Sequence, residues 1–143
     1  MIIGVGIDSV LVKRIKEKID KFGNKFEQKI FTKSEISRSD EIKNKSKKID
    51  FLAKRFAAKE AFSKAIGLGM RMPMSWRAMQ TLNDPSGKPV VQCSGQLQVF
   101  MEEKKYFAQV SISDEVDMAI AFVVVTYGTP VISGVLDAKD MQH

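Results

Sequence analysis

The stretch RFAAKEAFSKAIGLG, residues 55–69, places phenylalanines and alanines at helical spacing and then reaches Gly67, a residue that suits a helix C-terminus. We predict a long helix over about 49–66. At about 100° per residue, its bulky apolar side chains fall on one arc and its alanines on another. A helix that is apolar nearly all round is normally enclosed by other elements. Glu60 and Lys64 nevertheless lie at the seam between the two arcs, and buried charges need partners.

Two interpretations of this charged seam are open. Glu60 and Lys64 are four residues apart, so they could pair with each other, an arrangement that contributes about 0.3–0.5 kcal/mol on a helix surface. The alternative involves Asp8. Residues 2–8, IIGVGID, alternate branched side chains with glycines and predict a strand with one nearly bare face. If that face packs on the alanine arc, Asp8 and Glu60 converge.

Two converging carboxylates repel each other unless a divalent cation lies between them. Mg²⁺ suits such a pair, because it keeps several waters and is usually held by one or two carboxylates together with phosphate oxygens. Lys64, one turn beyond Glu60, would contact the same phosphate as a point charge. The residues alone therefore suggest a Mg²⁺ and polyphosphate site built from Asp8, Glu60 and Lys64.

The rest of the sequence predicts an α+β fold, in which an antiparallel sheet packs against the long central helix. We expect residues 1–126 to form one domain and residues 127–143 to be a C-terminal extension of uncertain order. The lysine-rich segment 39–50 is expected to be an exposed loop or a frayed helix. The predicted shorter helices lie at 11–22 and 95–105, with a helix start capped by Thr32 or Ser34, and the predicted strands lie at 2–8, 77–84, 90–95, 107–113 and 118–125.

The charge of this chain is unevenly distributed. The net charge of its 143 residues is +6, but residues 13–64 hold 17 Lys and Arg against 8 Asp and Glu. Such asymmetry indicates an anionic partner: a nucleic acid, a membrane surface, a polyphosphate or an acidic protein. A solvated basic surface with no partner is the plainer alternative.

Several classes of protein can be set aside. The single histidine is His143, so histidine-based triads and clustered zinc sites are excluded. Cys93 is the single cysteine, which favours the cytoplasm and leaves no intrachain disulfide. No apolar run approaches the roughly 20 residues of a membrane span, and the N-terminus lacks the features of a signal peptide.

Three segments together carry a resemblance to a known family. GVGIDSVLVKRI at 4–15, FLAKRFAAKEAFSKAIGLGM at 51–70 and the hairpin NDPSGKPVV at 83–91 resemble the holo-[acyl-carrier-protein] synthases, a branch of the 4′-phosphopantetheinyl transferase superfamily. The ending VSISDEVDMAIAFVVV at 110–125 is also similar. The resemblance implies that the 4′-phosphopantetheine group of coenzyme A moves to a serine of acyl carrier protein, releasing adenosine 3′,5′-bisphosphate, in support of fatty acid biosynthesis.

The resemblance also implies roles for particular residues. Asp8 and Glu60 match the family's Mg²⁺ ligands, and Lys64 matches its phosphate-contacting lysine; these three are the predicted catalytic residues. The proton of the serine would go to Glu60 or to a water held by the metal. The predicted contacts to coenzyme A are Lys64, Gly67 and Pro89, and the predicted contacts to the carrier protein are Arg14, Lys18 and Lys21.

The family is typically a homotrimer with active sites at the subunit interfaces, and the same assembly is expected here. Two other functions were weighed. A nucleic-acid-binding module is suggested by charge alone, but the basic segment shows no interleaved exposed aromatic residues and no recognised motif, so no nucleic acid partner is expected. A Mg²⁺-dependent polyphosphate hydrolase would use the same carboxylates. No membrane partner is expected.

Overall fold

The structure, a computed structural model, describes residues 1–128. The predicted α+β fold is confirmed. The extension predicted at 127–143 lies outside the described residues from position 129 onward. In chain order the elements are β1 (Ile2–Leu11), α1 (Val12–Phe22), α2 (Asn24–Ile30), α3 (Lys33–Asp40), α4 (Lys45–Ala65), β2 (Met79–Asn83), β3 (Pro89–Cys93), α5 (Gly95–Lys104), β4 (Tyr106–Asp114) and β5 (Met118–Tyr127).

Two separate antiparallel sheets form. The larger has three strands in the order β1–β5–β4, and its register places Asp8 opposite Ala121 on the central strand β5. The smaller is the predicted β2–β3 hairpin, in which Asn83 pairs with Pro89 beside the turn. The first and last strands thus form one sheet, and α4 packs on its inner face.

Close contact between β1 and α4 depends on the predicted bare face of β1. A Cβ at Gly6 would lie 2.0 Å from the carbonyl oxygen of Ala61, and one at Gly4 would lie 2.0 Å from that of Ala65. Real Cβ atoms do not approach backbone oxygens so closely, so only glycine fits at these two positions. The glycine face does pack on the alanine arc, which was the condition for convergence of Asp8 and Glu60, and this packing brings the two backbones together.

The start of α4 was predicted wrongly. The helix begins at Lys45 rather than near residue 49, so part of the lysine-rich segment, predicted as an exposed loop or a frayed helix, belongs to α4. The side chain of Asn44 accepts a hydrogen bond from the N–H of Lys47 (3.0 Å), which satisfies one of the free donors of the first turn. Lysines are good helix formers, so a polar composition alone did not exclude a helix there.

The short helix α3 has a strong start signal. Thr32 accepts the N–H of Glu35, and the Glu35 side chain accepts the N–H of Thr32, which is a reciprocal capping box. Thr32 is therefore the cap, rather than Ser34. None of the helices within residues 1–128 has the length and apolar character that crossing a membrane requires.

Candidate active site

Asp8 and Lys64 meet where β1 passes over the last turns of α4. The Nζ atom of Lys64 lies 2.8 Å from Oδ1 of Asp8 and also donates to the carbonyl oxygen of Ile7 at 3.2 Å. The side chain of Asp8 is only 11% exposed, whereas that of Lys64 is 54% exposed. The hydrogen bond from Lys64 to Asp8 raises the pKa of the lysine. Lys64 therefore pairs with the strand carboxylate rather than forming the simple helix-surface pair with Glu60.

Glu60 is the second carboxylate of this cluster. Its partial burial raises the pKa of the carboxyl, and the negative charge of Asp8 and a hydrogen bond with it raise that pKa further. The charges of Lys64 and Arg14 act in the opposite direction. The predicted convergence of Asp8 and Glu60 is thus present in the structure, and the proximity of the two groups makes their simultaneous ionisation unfavourable.

The donor set of the cluster fits one class of metal ion. Residues 1–128 contain no group of three or more His, Cys, Asp and Glu side chains that could hold a metal ion by itself. Two carboxylates alone do not make an all-protein cage, but they suit Mg²⁺, which completes its coordination with water and phosphate oxygens. Asp8 and Glu60 are the residues that would hold such an ion.

The predicted partner-binding cations lie on α1, directly after β1. Arg14 is near enough to Glu60 for its charge to lower the pKa of that carboxyl. Lys18 and Lys21 flank the ring of Phe22, with Nζ to centroid distances of 5.7 and 5.2 Å. Phe22 is 45% exposed. The expectation that the basic segment holds no exposed aromatic residue was therefore wrong, and α1 presents cations around an exposed ring.

The two other predicted contact residues differ in position. Gly67 follows the end of α4 with a φ of 79°, a left-handed conformation that glycine adopts freely, and its carbonyl accepts a hydrogen bond from Arg71. It lies three residues beyond Lys64 in the sequence. Pro89 begins β3 in the small sheet, whereas Asp8 lies in the large sheet. Pro89 and Asp8 therefore stand on different sheets.

Sequence reasoning missed two buried cations on α4. Lys59 is completely buried and pairs with the nearly buried Glu35 of α3 at 2.8 Å. Arg55 is also buried, and its guanidinium lies 4.6 Å from the ring centroid of Phe51. Burial lowers the pKa of both cations, and Glu35 partly offsets that effect. The sequence did contain an indication of their burial, because at helical spacing both residues fall inside the bulky apolar arc.

The comparison with protein families agrees with this geometry. The family model of the 4′-phosphopantetheinyl transferase superfamily matches residues 4–123, which include both carboxylates and Lys64. The chain belongs to this superfamily. The resemblance seen in the sequence is thereby confirmed.

Individual superfamily members are similar over nearly their whole length. The holo-[acyl-carrier-protein] synthase of Polynucleobacter necessarius subsp. necessarius is 52% identical over 128 residues, or 88% of this chain and 94% of that protein. The crystal structure of the synthase from Neisseria meningitidis has a TM-score of 0.82 at 39% identity and covers 88% of this chain and 99% of its own. The crystal structure of the synthase from Bacillus anthracis in complex with CoA (3′,5′-ADP) has a TM-score of 0.76 at 34% identity. It covers 90% of this chain and 99% of its own.

Proposed function

We propose that this transferase moves the 4′-phosphopantetheine group of coenzyme A to a serine of apo-acyl carrier protein, giving holo-acyl carrier protein and adenosine 3′,5′-bisphosphate. One observation carries the proposal: Asp8, Glu60 and Lys64 converge in a chain that belongs to the superfamily. Both the relative and the solved structures compared with the chain are named holo-[acyl-carrier-protein] synthases. Supply of holo-acyl carrier protein for fatty acid biosynthesis is part of the same proposal.

The reaction is a phosphoryl transfer, so the site must mainly position groups and neutralise charge. The serine oxygen attacks the β-phosphorus of coenzyme A, and the bond from that phosphorus to the bridging oxygen breaks, leaving the electron pair on the departing bisphosphate. A Mg²⁺ ion held by Asp8 and Glu60 supplies charge neutralisation when bound. Lys64, more than half exposed at the end of α4, carries a charge that can move from Asp8 to a phosphate oxygen.

The proton of the serine needs an acceptor, and Glu60 is suited to this task. In the metal-free protein, burial and the neighbouring Asp8 raise the pKa of its carboxyl, so that the folded protein holds a proton on Glu60 more readily than on an exposed glutamate. Gly67, two residues beyond the end of α4, and Pro89 on the hairpin remain the proposed contacts to the rest of coenzyme A.

The carrier protein is proposed to bind α1. Arg14, Lys18 and Lys21 form a basic face next to the carboxylate cluster, and the exposed ring of Phe22 adds an apolar contact between cations. An acidic carrier protein would be steered to this face by charge and held in register by it.

A homotrimer is proposed because one face of the large sheet is apolar and exposed. Val5 and Ile7 on β1 are 56% and 62% exposed, and Phe122 on β5, the neighbour of Ile7 in register, is 42% exposed. A continuous apolar sheet face marks an interaction surface. Further copies of this chain would cover it. The cytoplasm is the proposed compartment, in keeping with a lone cysteine.

The proposal is tested by incubating the protein with coenzyme A, Mg²⁺ and a purified apo-carrier protein. Mass spectrometry should show the carrier heavier by one phosphopantetheine group, with equimolar release of adenosine 3′,5′-bisphosphate. Release of the bisphosphate in the absence of carrier would instead favour a hydrolase. An unmodified carrier and intact coenzyme A would contradict the proposal.

A further inference from the structure

A second pair of charges lies about 100° round α4 from Glu60. The ammonium of Lys59 is fully buried, lies 2.8 Å from Oε1 of Glu35 on α3, and donates a hydrogen bond to the carbonyl oxygen of Met79 on β2. One side chain thus ties α4 to a helix and to a strand. Its neighbour in sequence, Glu60, belongs to the carboxylate cluster.

The carboxylate of Glu35, which pairs with Lys59, is itself fixed by further hydrogen bonds. Oε1 of Glu35 also accepts the N–H of Thr32 at 3.0 Å, and the hydroxyl of Thr32 donates to the side-chain oxygen of Gln80 on β2 at 2.6 Å. Glu35 therefore takes its position from the capping box of α3 and from the small sheet. Lys59 has a fixed partner, at a fixed distance.

Stability alone does not account for this network. Among the residues that the structure describes, Oε2 of Glu35 and Nε of Arg55 are buried without a hydrogen-bond partner. Unpaired buried polar atoms are unfavourable, and apolar residues of similar volume often replace buried ion pairs without loss of stability. A hydrogen-bonded ion pair depends on the orientation of its two groups, whereas apolar contacts do not.

The rotation of α4 about its own axis needs such an orienting contact, because the apolar surface of the helix constrains that rotation only weakly. The helix is apolar nearly all round, and apolar contacts are not directional. Ala61 packs against Gly6 on one side, which fixes the distance between helix and strand. On nearly the opposite side, the bond from Lys59 to Glu35 resists rotation of the helix about its axis. Glu60 lies between these two contacts.

We propose that Glu35 and Lys59 are positioning residues, which set the rotation of α4 and so direct the Glu60 carboxylate toward Asp8. The inference rests on the proposed function for what Glu60 does there. A helix turned by a few degrees would carry Glu60 and Lys64 away from Asp8 together, and small misplacements at a reacting centre are expensive.

The test compares three variants. Lys59→Met keeps the length of the side chain but removes its charge and both of its bonds, while Arg55 stays near Glu35 as a cation. We expect kcat to fall by about tenfold or more, the KM for coenzyme A to change by less than about threefold, and the Mg²⁺ dissociation constant from calorimetry to rise about tenfold. Lys59→Arg, which retains charge and donors, should recover most of the loss. Leu97→Ala, on the buried face of α5, is the control for a similar loss of melting temperature.

A Lys59→Met protein with the kcat and Mg²⁺ affinity of Leu97→Ala would overturn the inference. If Lys59→Met does not fold, Glu35→Gln tests the charge of the pair, because its amide oxygen can still cap α3 and accept from Lys59 while the negative charge is removed; a loss of kcat and Mg²⁺ affinity in the same direction is expected. A crystal structure of the folded variant gives a readout that does not depend on turnover. Glu60 turned away from Asp8 supports the inference, and an unchanged α4 refutes it, even if the wild-type protein transfers nothing.

Discussion

Gly6 and the carbonyl oxygen of Ala61 are so close that a Cβ on the glycine would lie 2.0 Å from that oxygen. The contact joins the strand that carries Asp8 to the helix that carries Glu60. Because both sides are backbone, neither can move without shifting a whole element. The short distance between β1 and α4, which carry the two predicted metal ligands, therefore depends on the absence of side chains at Gly4 and Gly6.

Gly6→Ala should destabilise the fold by about 3 kcal/mol or more, at the upper end for overpacking, because no flexible side chain can yield. Urea unfolding measures the change. Glu103→Ala, an exposed substitution on α5, is the control and should have almost no effect. An equally small effect of Gly6→Ala would show that the close contact does not exist in solution.

The ionised carboxylate of Glu60 should destabilise the folded state of the metal-free protein. Burial and Asp8 raise its pKa in the folded state above the usual 4.5, so the folded state binds this proton more tightly than the unfolded state. That advantage is complete below about pH 4.5 and is lost as the pH rises through the raised pKa. Glu60→Gln should therefore raise the melting temperature of the metal-free protein in mildly alkaline buffer and should matter less in acid.

Scanning calorimetry without Mg²⁺, in mildly alkaline buffer and in acid, measures the change in melting temperature and so checks its predicted direction. Glu103→Gln, exposed on α5, should leave the melting temperature unchanged at both. A Glu60→Gln protein that melts lower than wild type in alkaline buffer would mean that the charged carboxylate stabilises the fold, against the direction of its pKa.

Much of this site was readable from the sequence because it depends on spacing within elements. The alternation in residues 2–8 and the alanine arc of α4 each specify a face, and small residues on both faces allow the two elements to pack closely. Asp8 and Glu60 converge as a consequence. The position of Pro89 relative to the carboxylates could not be predicted in this way, because Pro89 lies on a second sheet.

The buried pair of Lys59 and Glu35 was beyond the sequence for a different reason. Helical spacing places Lys59 on the apolar arc. It does not identify the partner, Glu35, because that residue lies on a different helix, α3. The start of α4 was placed too late because the lysines suggested a loop or a frayed helix, although Asn44 is a favourable cap. The partner of a buried charge is set by tertiary structure, whereas the start of α4 has a local signal in Asn44 that was overlooked.

Charge on α1 should steer the carrier protein. Lys21→Glu is a better probe than Arg14→Glu, because Arg14 also acts on Glu60. We expect kcat/KM for the carrier to fall about tenfold at low salt and by less at high salt, where exposed charges are screened. Lys104→Glu on α5 is the control. An effect of Lys21→Glu that does not depend on salt, or that Lys104→Glu shares, would count against steering.

The exposed face of the large sheet should hold the assembly together. Ile7→Asp places a charge on this face and should convert the proposed trimer to monomers, with loss of activity if the site is shared between subunits. Light scattering after gel filtration gives the mass. Val116→Asp, in the 92% exposed β4–β5 turn, is the matched control and should remain assembled. A wild-type protein that is monomeric at working concentrations would contradict the proposed assembly.

The most direct test of the account is calorimetric titration of Mg²⁺, in the presence of coenzyme A, into wild-type protein, Asp8→Asn and Glu60→Gln. If the two carboxylates hold one ion jointly, the wild type should bind one Mg²⁺ per site, and each variant should lose that binding by at least about tenfold, since each removes one of two charged ligands. Wild-type affinity retained in either variant would show that the ion, and the chemistry assigned to it, lies elsewhere.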